Sequence, residues 1–199
     1  AKIYLGGNKM DLLLASSSKF KTEILNKVCL YHKCINSNFD ESKIKCKNPY
    51  KKVKLLALNK AKSIKEKGII IGLDTIVLVN NKILEKPSSL EEARKYLEIS
   101  SNRTVKVITG YAIINGNKII NSYAVTKVKF NKISKEDIDY YLKNEKDALY
   151  VSGFVIEGMM SNYINKINGS FYNILGVPVE EIYKNLKKMG YNLNMFKKS

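Results

Sequence analysis

Tryptophan is absent from the 199-residue chain, histidine occurs once, and arginine stands only at positions 94 and 103. Cysteine is scarce too. Cys29, Cys34 and Cys46 are odd in number and share no C-x-x-C spacing, which excludes a disulfide framework and, with His32 alone beside them, makes a poor zinc set. Reduced thiols and a cytoplasmic location are the expectation. No apolar run approaches the about 20 residues needed to cross a bilayer, so no membrane helix and no membrane partner is expected. The opening AKIYLGGNKMDLLLASSS lacks the apolar stretch and cleavage site of a secretory signal. Residues 1–10 read as a leader or cloning remnant, followed by a single domain over 11–199. Acidic residues are few, 18 against 35 basic ones, which leaves a net charge of +17, nearly all from lysine. Such a field attracts polyanions, whether nucleic acid or nucleoside phosphates. The lysines are spread along the chain, however, and clustered arginine or exposed aromatic motifs are missing, so nucleic acid is not the favoured partner.

What the chain does have is one dominant apolar stretch, GIIIGLDTIVLV, from Gly68 to Val79. Without Asp74 it reads as a buried central strand. An unpartnered carboxylate there costs several kcal/mol, so Asp74 is expected at a strand end or bulge, or held by cations. Gly72 suits a bulge or a close backbone approach. Asp74 is equally open to a purely structural role.

Around this run the chain reads as mixed α/β. A strand at Asp11–Ala15 enters Ser16-Ser17-Ser18, and KFKTEILNKV follows with helical spacing of Phe20, Ile24 and Val28. Serines at a helix start cap it or donate to a ligand, and the free N–H groups there seat phosphate. A short strand near 30–35 leads to the polar segment NFDESKIK, and Pro49 opens a helix with Val53, Ala57, Ala61 and Ile64 on one face. Asn80-Asn81 marks a turn before a returning strand at 82–84. The pairs Ser88/Glu91 and Ser89/Glu92 form a double capping box for the next helix. Asn115-Gly116-Asn117 joins two long strands in a hairpin. Ser134 caps a further helix, a strand is expected near 163–167, and Pro178 opens the last helix.

Four separated pieces resemble one family: LLLASSSKFKTEIL, LNKAKSI, GLDTIVLVNNKILEKPSSLEEA, and GFVIEG followed by INGSFYNILGVPVEEI. Together, in this order, they resemble the Maf proteins from about Leu12 to Gly190. The resemblance implies an α/β fold, two-lobed, with an elongated mixed β-sheet flanked by helices and a cleft between the lobes, commonly as a homodimer. It implies hydrolysis of a nucleoside triphosphate between the α- and β-phosphates, giving the monophosphate and pyrophosphate. By position, Asp74 matches the general base, Ser16, Ser18 and Lys21 the phosphate-binding turn, Lys60 the lysine of the K-A motif and Lys86 that of G-K-P, where Glu85 replaces glycine. Glu41 matches an acidic residue near the site. With Asp74 it would hold a divalent metal, Mg²⁺ or Mn²⁺.

The chain departs from the family at the turn. Ser18-Lys19-Phe20-Lys21 stands for S-P-R-R, which gives up bidentate arginine geometry on phosphate. Phe20 and Glu157 resemble the branch acting on 7-methyl-GTP, because an aromatic ring can stack on a cationic purine. Thr75 resembles the pyrimidine branch. Two positions against one lean toward a modified nucleotide over dTTP or UTP. A core-facing Phe20 is the structural alternative. A non-catalytic regulator of division, or a nucleic-acid binder, is the alternative for the whole chain.

Overall fold

A computed structural model of the chain describes residues 10–149 and 151–197. The expected leader lies, up to residue 9, outside the described residues. Met10 is tied in, its N–H donating to the carbonyl of Met195 at 3.0 Å.

Among the described residues, seven strands form one mixed sheet with helices around it, in the order β2-β1-β3-β5-β6-β7, with β4 paired to β3. The strands are β1 (Leu12–Ala15), β2 (Lys33–Ile35), β3 (Ile69–Val79), β4 (Lys82–Leu84), β5 (Thr104–Asn115), β6 (Lys118–Phe130) and β7 (Ile164–Asn168). The helices are α1 (Lys19–Lys27), α2 (Pro49–Ser63), α3 (Leu90–Ser100), α4 (Lys135–Asn144), α5 (Phe171–Ile174) and α6 (Val179–Lys188). β1 pairs parallel with both β2 and β3, whereas β3–β4 and β6–β7 are antiparallel. The mixed α/β architecture expected from the sequence is therefore present.

The chain divides into two compact units. One comprises the residues up to Asp74, Thr109–Ala124 and those from Leu175; the other comprises Thr75–Ile108 and Val125–Ile174. In the first, α2 lies on the sheet through Ala57, Ala61 and Ile64, which pack on Leu13, Ala15, Ile70 and Ala112. The small residues let the helix come close. A Cβ on Gly72 would stand 2.0 Å from the Ala57 carbonyl oxygen, and one on Gly110 would stand 2.2 Å from that of Val53. Gly72 thus serves a close approach inside a continuous strand rather than a bulge.

The second unit has its own core of Leu84, Ala93, Leu97, Val105, Val128, Phe130, Ile138 and Tyr141. Asn80 and Asn81, both at positive φ (47° and 62°), make the tight turn between β3 and β4. A single capping box opens α3 where two were expected. Ser89 accepts from the Glu92 N–H at 3.2 Å, and it is again Glu92, not Glu91, that accepts from the Ser88 N–H at 2.8 Å. Those Ser88 contacts, with the Tyr96 hydroxyl, hold the Glu92 carboxyl down to about 2. Among the described residues no helix is long and apolar enough to cross a membrane.

Candidate active site

The site is built in the first unit from four elements and one short turn. β1 delivers the chain to Ser16, whose Oγ accepts the Ser18 N–H at 3.1 Å. Ser18 in turn caps α1, its Oγ accepting from the Lys21 N–H at 3.4 Å. Both serine oxygens are used as acceptors, so each hydroxyl keeps a proton it can donate to an anion. The last register pair between β1 and β3 joins Leu14 to Ile71. Two residues farther along β3, the Leu73 carbonyl is reached by Lys21 Nζ at 3.3 Å.

Asp74 follows directly, in mid-strand and 8% exposed. Alternation along β3 places Ile70, Gly72 and Asp74 on one face, the face that α2 covers. Ala57 and Ala61 meet Ile70 and Gly72, and Lys60, on the same side of the helix, meets Asp74. Lys60 Nζ lies 2.6 Å from Asp74 Oδ1 and 2.8 Å from Glu41 Oε1. Glu41 opens a 3-10 turn, Glu41–Lys43, capped by Asp40 through the Ser42 N–H at 3.1 Å. Of the possibilities for Asp74 raised by the sequence, the cation-held one is realised, without a strand end or a bulge.

The electrostatics follow from burial. Burial pushes the Asp74 carboxyl above the usual carboxylate range, Lys60 and then Lys21 pull it partly back, and Glu41 adds to the rise. For Lys60, burial alone lowers the ammonium, but Asp74 and Glu41 more than offset it and hold it above its ordinary value. The result is a desolvated carboxylate that takes up a proton more readily than a surface one, beside cations suited to phosphate oxygens.

Phe20 is 40% exposed in the first turn of α1, while Ile24 and Leu25 are buried, so the core-facing alternative for Phe20 is excluded. Lys86, Thr75 and Glu157 belong to the second unit. Lys86 is exposed between β4 and α3, Thr75 is half-buried on β3, and Glu157 is exposed in the turns before the 3-10 segment Met159–Tyr163. Lys21 and Lys60 lie within one unit, and Lys86 lies in the other. Sequence reasoning anticipated a close approach at Gly72 but missed the role of Gly110 and of the Leu73 carbonyl. A glycine within an otherwise apolar strand was the available signal for Gly110 as well.

A divalent metal is a reasonable guest for this donor set. Among the described residues no three His, Cys, Asp or Glu side chains form a cage. Magnesium, however, is usually held by one or two carboxylates together with substrate phosphates, which fits Asp74 and Glu41 sharing one ammonium.

The sequence from residue 11 to residue 189 matches the family described as Maf-like protein. The chain belongs to the Maf family. The Maf chain is 39% identical over 187 residues to a dTTP/UTP pyrophosphatase of Pyrococcus furiosus, covering 92% of this chain and 96% of that protein. It is 38% identical to the dTTP/UTP pyrophosphatase of Thermosipho melanesiensis, over 87% of this chain and 95% of that one. The enzyme of the same name from Clostridium acetobutylicum is 37% identical and is covered over its full 100%, against 92% of the Maf chain.

Proposed function

We propose that this Maf chain cleaves a nucleoside triphosphate between its α- and β-phosphates, releasing the monophosphate and pyrophosphate, with dTTP and UTP as its substrates. That the chain is an enzyme, a nucleotide pyrophosphatase of the hydrolase class, follows from its family and its relatives. The observation that carries the finer reading is the 2.6 Å contact of Lys60 with the buried Asp74, alongside Lys21. Attack of water on phosphorus requires cations for the flanking oxygens and a group to orient the water. Ser16, Ser18 and Lys21 seat the phosphate chain at the start of α1 and supply positive charge together with Lys60. Asp74 orients the attacking water and takes its proton, which its elevated proton affinity favours. A divalent metal held by Asp74 and Glu41 would polarise the phosphate oxygens.

The choice of base rests on the relatives, whose names specify dTTP and UTP, and Thr75 agrees with them. The lean toward a 7-methyl-GTP-like nucleotide finds no counterpart in those names. One observation keeps it as a second reading: the exposed Phe20 ring stands on the phosphate turn, where a base could stack. Lys86 and Glu157 are proposed as substrate contacts on the family resemblance alone. A triphosphate panel with Mg²⁺ and Mn²⁺, read as pyrophosphate release, tests all of this. Preference for dTTP and UTP supports the primary reading, preference for 7-methyl-GTP the second, and turnover of neither with tight DNA binding the non-catalytic alternative. A homodimer is proposed with the fold, and light scattering at twice the 22.6 kDa chain mass would support it.

A further inference from the structure

Lys60 is shared by two carboxylates of very different standing. The Asp74 side chain is 12% exposed and sits on a sheet strand, whereas that of Glu41 is 55% exposed and sits on a one-turn surface segment. Losing Asp74 from the ammonium would leave a buried charge unpaired, while releasing Glu41 returns it to water at little cost. An anion arriving at Lys60 therefore meets one partner that stays and one that can leave.

We propose that Glu41 is an internal competitor for the phosphate seat at Lys60, vacating it for the triphosphate and returning to displace the phosphate products. This deepens the reading of the site as a triphosphate pyrophosphatase. A carboxylate 2.8 Å from the ammonium repels any phosphate that leaves it in place, and any phosphate that expels it gives up the Lys60–Glu41 pair. Either way, binding is weakened for substrate and product alike. Weaker product binding shortens the residence of product.

The test is calorimetric titration of pyrophosphate, UMP and a non-hydrolysable UTP analogue into the full chain and into Glu41→Gln, all in EDTA. Working without metal separates competition from ion binding. The variant is expected to bind pyrophosphate about tenfold more tightly and to be product-inhibited at correspondingly lower concentration. Unchanged or weaker pyrophosphate binding in Glu41→Gln overturns the proposal and leaves Glu41 with its metal-holding role alone. The analogue and wild-type turnover supply the control. If the analogue binds wild type and UTP is turned over, failure belongs to the competitor alone; if neither occurs, the triphosphate reading itself has failed. Melting temperature checks that the exposed substitution leaves the fold intact.

Discussion

A carboxylate that must act as a base is most useful when it holds a proton better than a surface carboxylate does, and burial gives Asp74 that property. The acid limb of the pH–activity profile is accordingly expected above the usual carboxylate range, with activity rising as Asp74 ionises. Neighbouring charge sets where the limb falls. Lys60→Met removes the strongest stabiliser of the ionised form and should move the limb upward, whereas Glu41→Gln removes a like charge and should move it downward. Opposite displacements by these two variants, read from kcat/KM, which reports the free enzyme, between pH 4 and 9 (roughly the span in which perturbed carboxylates titrate), check the assignment. Asp74→Asn should lower kcat by about 10²–10⁴-fold, the range for loss of a general base. At this scale the sequence was partly legible. A lone carboxylate among aliphatics required a cation, but only the family resemblance pointed to Lys60, because nothing in local spacing tells a solvated helix lysine from one turned onto a sheet. Phe20 shows the converse: its spacing with Ile24 suggested a core stripe. In the first turn, side chains lean toward the helix start, and the buried stretch begins only at Ile24.

Elements explain why the pair meets at all. α2 reaches the sheet because Gly72 and Gly110 carry no side chain where its backbone passes. Gly72→Ala places a Cβ 2.0 Å from the Ala57 carbonyl oxygen, so helix and strand must part. A loss of about 3 kcal/mol in urea unfolding is expected, near the upper end for overpacking, with a fall in kcat as Lys60 is carried away from Asp74. Gly116→Ala is the control. It stands in open space at a φ of 56°, so only the left-handed backbone cost of about 1–2 kcal/mol applies and kcat should be unchanged. Most elements were legible from periodicity and caps: Pro49 at the start of α2, the Asn80-Asn81 turn, and the long hairpin of β5 and β6 all stand as expected. A close approach at Gly72 was legible as well, but not that α2 makes it, since which helix crosses which strand is decided by tertiary packing rather than by either segment alone.

For the whole molecule, a net charge of +17 and a polyanionic substrate belong together. The field concentrates triphosphate near the surface, and salt screens it over about 10 Å at 0.1 M. KM for the triphosphate should therefore rise several-fold between about 0.05 and 0.5 M salt, with kcat less affected because Lys60 and Asp74 are shielded from solvent; initial-rate kinetics at the two salt levels check this. The mixed sheet was legible in the sequence, as was the family. Two lobes were implied by the family resemblance; where the chain passes between the two compact units was not legible, because it does so in mid-strand, at Asp74–Thr75, with no linker to mark it. The most direct test is a ³¹P NMR time course with UTP and Mg²⁺, run on the wild-type chain beside Asp74→Asn. The account predicts UMP and pyrophosphate from wild type and almost none from the variant; UDP with orthophosphate, or an undiminished rate in the variant, would contradict it.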